Sequence, residues 1–217
     1  MIKKKINITF LLDKNNSWIE KFIRDKFKKK FKKYNFSFSK NFRNIKKQNI
    51  VFILGYMKIL PENFLKRNIM NLVVHESDLP KGKGFAPVQW QILQKKNKIP
   101  ICLLDANNKA DSGDIYEKSF IKLKGYELNG EIRKYQAIAT IKIISKFLKK
   151  YPKFKKIKQS GKSTFYKKRG PENSMLNINK SIKANFNLLR VVDNEKYPAF
   201  FIFKKRKYFL KIDPAKH

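Results

Sequence analysis

The 217-residue chain has two histidines, at positions 75 and 217. His217 is the last residue, where chains fray, so His75 is the histidine expected to be held in place. Imidazole is the side chain that gains and loses a proton near neutral pH. His75 follows an apolar run, in Val73-Val74-His75-Glu76-Ser77-Asp78-Leu79-Pro80. In open α/β sheets, ligands bind beyond the carboxyl ends of the strands. Other polar or glycine-bearing stretches follow apolar runs in the same way. They are Gly55-Tyr56, Asp105, and the Asp111-Ser112-Gly113-Asp114 loop beyond it. Lys81-Gly82-Lys83-Gly84 adds a glycine-rich turn. Alone, each has a plain explanation as a satisfied loop histidine or turn-forming aspartates. Gathered on one expected edge, they indicate a functional site.

The elements that must position these residues are readable from pattern. Ile6 to Leu12 is an apolar, β-branched run that predicts a first buried strand. Ser17-Trp18-Ile19-Glu20 has the form of a capping box. Ile19, Phe22, Ile23, Phe27 and Phe31 follow at helical spacing, as a core-packing stripe. Ile50 to Leu54 predicts a second strand, Glu62 to Arg67 a short helix, and Leu72 to Val74 a third strand. Pro87 suits the first turn of a helix through Trp90 and Leu93. Ile99 to Leu104 predicts a fourth strand, and Ile132 to Ile144 a longer helix ending before Pro152. Alternation of strands and helices implies a mostly parallel sheet covered on both faces. Residues 1–150 therefore read as one α/β domain. Lys153 to Lys168 reads as a basic connector. Phe186 to Val192, Ala199 to Phe203 and Tyr208 to Ile212 read as a small β-rich appendage within 151–217.

Composition narrows the function classes. Hydrophobic residues make up 42% of the chain, with 19 Phe, nine Tyr and two Trp. That argues for a packed core and against disorder. No apolar run approaches the ~20 residues of a membrane span. The segment MIKKKINITFLLD lacks the features of a signal peptide. The single Cys102 cannot form an internal disulfide, which fits a reducing cytoplasm. Asp13-Lys14-Asn15-Asn16 after the first strand contains no glycine, so a dinucleotide-binding turn has little support. Neither a P-loop nor a paired Cys/His metal spacing is present.

The net charge of +36 invites a nucleic-acid or anionic-membrane reading. However, the 52 basic residues comprise 45 Lys and only seven Arg. Arg is the residue whose fork matches phosphate. Lys, Asn, Ile and Phe are what AT-rich codons specify, so genome composition accounts for much of the basicity.

Several stretches together resemble a known family. Val74-His75-Glu76-Ser77-Asp78-Leu79-Pro80, then Gly84-Phe85-Ala86-Pro87, resembles the H-x-S-x-L-P…G-x-x-P segment of the folate-dependent formyltransferases. Gly55-Tyr56-Met57-Lys58-Ile59-Leu60-Pro61 looks like the family stretch before it, and Asp111-Ser112-Gly113-Asp114-Ile115 like its D-[TS]-G-D segment. Order and spacing agree across residues 50–116. Further on, Arg169-Gly170-Pro171-Glu172-Asn173, Leu189-Arg190-Val191 and Tyr197-Pro198-Ala199-Phe200 resemble a pattern of sugar-nucleotide formyltransferases.

The resemblance implies a Rossmann-like α/β fold and transfer of a formyl group from 10-formyltetrahydrofolate to an amine. It implies catalysis by His75 and Asp111. It places folate at Tyr56, Met57, Lys58, Ile59 and Leu60, with Asn107 and Asn108 on the facing loop. It makes Arg190 and Tyr197 candidate contacts for a nucleotide-linked amino sugar, with no metal. Imidazole suits proton transfer from the attacking amine or hydrogen bonding to the developing oxyanion. Asp111 would orient His75, favour its protonated form or accept the proton itself. One departure stands out. The family carries Asn two residues before the His, and this chain has Val73, which cannot donate a hydrogen bond. Asn71, Ser77 and Gln89 are the replacement candidates.

The leading expectation is a cytoplasmic sugar-nucleotide N-formyltransferase of surface-glycan synthesis, with self-association as a homodimer open. The alternative is methionyl-tRNA formylation, the case in which nucleic acid is a partner. A third reading is a non-catalytic basic RNA-binding protein. That reading predicts aromatics interleaved with Arg on an exposed strand face, whereas the aromatics here are expected mainly on core stripes.

Overall fold

A computed structural model describes residues 5–215; His217 and the first four residues lie outside that range. The chain runs β1 (Ile6–Leu12), α1 (Glu20–Lys30), β2 (Tyr34–Ser39), β3 (Ile50–Leu54), α2 (Glu62–Arg67) and β4 (Met70–His75). Next come β5 (Lys83–Gly84), α3 (Pro87–Leu93), β6 (Lys98–Asp105), β7 (Ile115–Lys122) and α4 (Asn129–Lys150). The remainder holds β8 (Phe165–Tyr166), α5 (Ile182–Val191), β9 (Ala199–Phe203) and β10 (Arg206–Leu210).

Six strands form one sheet in the order β2-β1-β3-β4-β6-β7. The first four are parallel to one another, β6 runs antiparallel to β4, and β7, antiparallel to β6, runs in the direction of the first four. The sheet is thus mostly parallel, as expected, and helices lie on both its faces. Strand alternation sorts its side chains. Ile8, Phe10, Phe52, Leu72 and Val74 enter the main core, which also holds Ile23 and Phe27 of α1, Val88 and Ile92 of α3, and Ile143 and Phe147 of α4. Leu11, Val51 and Ile53 face the other way, onto Phe64 of α2, and Val73 packs with them. His75, two residues after Val73, ends β4 on that second face.

Several expectations change. The box at Ser17–Glu20 does not form: Ile19 is the N-cap, with no side-chain cap bond, and the Glu20 carboxylate pairs with Arg24 one turn on. Strand β2 was not anticipated, although Tyr34, Phe36 and Phe38 alternate at strand period. The first apolar segment of the appendage is helical. Ser181 caps α5 by accepting the Ala184 N–H, and Leu189 and Val191 are buried. Only the other two segments are strands, β9 and β10, which pair antiparallel with Phe201 opposite Tyr208. Asp105 is also displaced from the expected edge. Because β6 is antiparallel to β4, Asp105 lies opposite Leu72, and Cys102 is the residue opposite His75. Among the described residues, no helix is long and apolar enough to cross a membrane.

Candidate active site

His75 meets Asp111 at the end of β4. The ring Nδ1 lies 3.4 Å from Asp111 Oδ1, and Nε2 lies 2.9 Å from the Gly82 carbonyl oxygen. A carbonyl oxygen only accepts, so Nε2 is the donor in that bond. When Nδ1 also carries a proton, it donates to Asp111. The other Asp111 oxygen accepts the Gly84 N–H at 3.0 Å. The side chains are 7% and 14% exposed, so the pair is nearly closed off from water and its electrostatics are strong.

Local backbone constraints place these groups. Asp111 sits at φ 51°, in the left-handed region, within a loop closed by the Asp105 N–H on the Asp114 carbonyl. A Cβ on Gly113 would stand 2.0 Å from the Asp105 oxygen, so the loop folds down only with glycine there. Gly84 has φ 96°, and a Cβ on it would meet the Tyr166 oxygen at 2.6 Å.

That second approach exposes a feature missed in the sequence. The segment read as a connector is part of the site. Its β8 pairs with β5, Thr164 accepts the Gly82 N–H at 2.8 Å, and the Tyr166 ring lies against Gly82. Gln159 donates to the carbonyls of Asp111 and Gly113 at 2.9 and 2.8 Å. The only advance signal was Gln159-Ser160-Gly161, with Ser163 and Thr164, interrupting a lysine-rich run.

On the main-core side of β4, Glu76 accepts from Gln136 Nε2 of α4 at 2.6 Å, and its backbone carbonyl accepts from Gln91 of α3 at 2.7 Å. Burial pushes the Glu76 carboxyl above the ordinary carboxylate range, while the charge of His75 pulls it down. One turn before Gln136, Arg133 pairs with Asp193 at 3.0 Å and lies over the Trp18 ring. Asp193 and Tyr197 bracket a turn whose Lys196 reaches the Asn15 carbonyl at 3.2 Å. The loop after β1, α4 and the 193–197 turn therefore converge at Arg133, one helical turn from the Gln136 that holds Glu76.

The other candidates divide. Tyr56 and Leu60 pack with Val73 and α2 on the His75 face, while Met57, Lys58 and Ile59 are exposed, Ile59 at 64%. Asp13 holds this stretch through the Met57 N–H at 3.2 Å. Asn107 and Asn108 are exposed on the Asp111 loop, and Asn107 Oδ1 accepts from Ser112 at 2.8 Å. Tyr197 is 46% exposed. Arg190 is a correction. It is neither a surface residue nor open to a diphosphate, being 1% exposed. Its guanidinium binds Glu127 at 3.3 Å, the Glu127 carbonyl at 3.2 Å, and Asn97 and Asn187 at 3.0 Å each. It is a tie between α5 and the main body.

Of the donors weighed for the Val73 position, Asn71 is committed to the Leu65 carbonyl at 2.8 Å. Ser77 is 2% exposed and its hydroxyl has no partner among the described residues. Cys102, which bonds the Ser77 carbonyl, has its thiol pushed up to about 11 by burial and is poorly suited to nucleophilic chemistry. A cavity of about 550 Å³ lies at the Asp105 end, among Met70, Asn71, Tyr116, Phe154 and Lys156, away from the His75–Asp111 pair.

The strand-end loops of this open α/β sheet press one histidine against one aspartate, an arrangement suited to handling a proton. The formyl transferase family profile matches residues 5–144, and the chain belongs to that family. Bifunctional polymyxin resistance protein ArnA of Wigglesworthia glossinidia brevipalpis is 28% identical over 183 residues, covering 78% of this chain and 28% of that protein. Methionyl-tRNA formyltransferase of a Sulfurihydrogenibium species is 30% identical over 157 residues, covering 68% and 50%. The chain thus spans half or less of the length of these relatives. Among solved structures, a methionyl-tRNA formyltransferase from Clostridium thermocellum superposes with TM-score 0.80 at 26% identity, covering 97% of this chain and 94% of that one. HypX from Aquifex aeolicus in complex with tetrahydrofolic acid gives 0.81 at 14%, covering 96% and 38%. A sugar N-formyltransferase from a Shewanella species gives 0.71 at 14%, covering 98% and 99%. The last two likenesses concern the fold alone.

Proposed function

We propose that the chain transfers a formyl group from 10-formyltetrahydrofolate to the amine of a nucleotide-linked amino sugar. The observation that carries the transfer is the His75–Asp111 pair, held at 3.4 Å on a strand end and braced by Gly82 and Gly84. The donor supplies an activated formyl carbon bonded to a nitrogen that can leave. The residues beside His75 fit it. Exposed Met57 and Ile59, next to half-buried Tyr56 and Val73, form an apolar ledge that a flat heteroaromatic ring would cover. Asn107 and Asn108 stand on the loop that carries Asp111.

In this reading, His75 exchanges its Nε2 bond to the Gly82 carbonyl for the substrate and moves a proton from the attacking amine toward the departing nitrogen, while Asp111 holds Nδ1 and compensates the ring's charge. Ser77, two residues after His75, is the donor assigned to the formyl oxygen, because its buried hydroxyl has no partner among the described residues. Pre-placed donors of this kind favour charge that appears only at the transition state. Support for the sugar acceptor comes from the Arg169–Asn173 and Tyr197–Phe200 resemblance, and Tyr197 is exposed enough to touch a ligand. A cytoplasmic setting and self-association belong to the same reading, and light scattering of the purified chain tests the latter.

Methionyl-tRNA is the second reading. It is favoured by the methionyl-tRNA formyltransferases among the relatives and by hairpin β9–β10, where exposed Phe203 and Phe209 flank Lys204, Lys205, Arg206 and Lys207. Most aromatics lie on the core stripes as expected, and this hairpin is the exception that a bare RNA-binding protein would use. Such a protein would have no use for the His75–Asp111 pair, which keeps the catalytic readings ahead. The test is incubation with 10-formyltetrahydrofolate and panels of nucleotide-linked amino sugars and methionyl-tRNA, following tetrahydrofolate release. Release with an amino sugar supports the proposal. Release with methionyl-tRNA alone replaces the acceptor, and release with none overturns the activity.

A further inference from the structure

Glu76 stands one residue after His75 and, by strand alternation, on the opposite side of β4. One carboxylate oxygen takes the Gln136 amide at 2.6 Å. The other makes no hydrogen bond among the described residues and is not among the atoms sealed from solvent without a partner. The backbone is fixed from α3, by Gln91 on the Glu76 carbonyl. A carboxylate clamped by one oxygen and open at the other is a receptor for a cationic donor. One turn from Gln136 on α4, Arg133 gathers the loop after β1 and the 193–197 turn, whereas the apolar ledge at Tyr56–Leu60 lies on the His75 face.

We infer that Glu76 receives the acceptor amine as its ammonium form and removes the first proton, so that the acceptor enters from the α4 side of β4 and the formyl donor from the α2 side. This rests on the formyl-transfer reading above. The protons balance. The ammonium gives one proton to the Glu76 carboxylate, leaving a neutral amine and a carboxylic acid. The amine nitrogen then bonds to the formyl carbon as the bond from that carbon to the donor nitrogen breaks. The second amine proton passes through His75 to the departing nitrogen, and Glu76 returns its proton to solvent. A carboxyl held above its ordinary range by burial is a better match for an ammonium proton than an exposed one. The charged groups acting on it are His75 and Asp111, with opposite signs of effect, while Gln91 and Gln136 are neutral.

The test uses the full chain, Glu76→Gln and Glu76→Asp, with 10-formyltetrahydrofolate and two kinds of acceptor. One kind is nucleotide-linked amino sugars and methionyl-tRNA, and the other is hydroxylamine, which is uncharged at neutral pH. Glu76→Gln is expected to raise the amine KM roughly tenfold to hundredfold, the scale of one lost charge-assisted hydrogen bond. It should abolish the rise of that KM as pH falls and reduce hydroxylamine transfer far less than amine transfer. Glu76→Asp should restore part of the loss. If an amine is formylated by both wild type and Glu76→Gln with the same KM and pH profile, Glu76 has no such role and the formyl-transfer reading stands. If wild type formylates no amine, both fall together.

Discussion

Asp111 uses its two oxygens for different partners, and that division makes it replaceable in shape but not in chemistry. One oxygen faces His75 Nδ1 and the other accepts the Gly84 N–H. In Asp111→Asn, the amide oxygen can keep the Gly84 bond, which turns NH₂ donors toward a ring nitrogen that also needs an acceptor when protonated. The fold should survive while kcat collapses. His75→Ala should cost about 10²–10⁴-fold in kcat, the usual weight of a positioned acid–base group. Its stability cost should be small, because His75 ends its strand and lies outside the main core. Both are checked by steady-state kinetics beside thermal denaturation. Wild-type turnover in Asp111→Asn would reduce Asp111 to a turn residue.

At the scale of elements, the site depends on a strap that the sequence did not announce. Strands β5 and β8 are two residues each, yet they hold Gly82 over His75 and aim the Gly84 N–H at Asp111. Gly84→Ala would place a methyl 2.6 Å from the Tyr166 oxygen at φ 96°. Strain of that kind costs roughly 1–3 kcal/mol, and releasing the strap would relieve it. The expected result is a large loss of kcat with only a few degrees lost in Tm. Equal losses across both measurements would mean that the strap is part of the general fold. A second tie is Arg190. Arg190→Ala leaves Glu127, itself 1% exposed, without its cation. Breaking a buried pair costs about 3–5 kcal/mol, roughly 6–20 °C in Tm for a chain of this size. Adding Glu127→Gln should recover part of that.

These two ties also show where sequence reading stops. β4 and its His75 end were legible because a buried strand is a contiguous apolar run, and the Asp111-Ser112-Gly113 loop because loop residues carry their own turn chemistry. Thr164, Gln159 and Arg190 act across 48 to 93 residues of chain, on Gly82, Asp111 and Asn97. No local period encodes such pairings. Antiparallel β6 was hidden for a related reason: a fully buried strand looks apolar in either direction, and only its direction decides whether Asp105 joins His75 or lies opposite Leu72.

For the whole molecule, the question is whether a charge of +36 is function or background. Lysines outnumber arginines by 45 to seven, the signature expected of compositional drift rather than phosphate reading. Yet hairpin β9–β10 gathers Lys204, Lys205, Arg206 and Lys207 with Phe203, Tyr208 and Phe209, all exposed, and Arg206 and Lys207 lie over the Tyr208 and Phe209 rings. Aromatic faces beside cations are what stack and neutralise a single strand. The two accounts separate by salt. Background charge binds RNA through counterion release alone, so affinity should fall steeply and without sequence preference as salt rises from low to physiological. A tRNA-acceptor enzyme should keep measurable affinity at physiological salt and prefer initiator over non-initiator tRNA. Under the amino-sugar reading, titration of both tRNAs at two salt concentrations should give equal, weak and salt-labile binding. Replacing Phe203 and Phe209 by serine should change it little. Salt-resistant preference for the initiator, lost in that double variant, would instead assign the hairpin to tRNA and move the acceptor while leaving the His75–Asp111 chemistry in place.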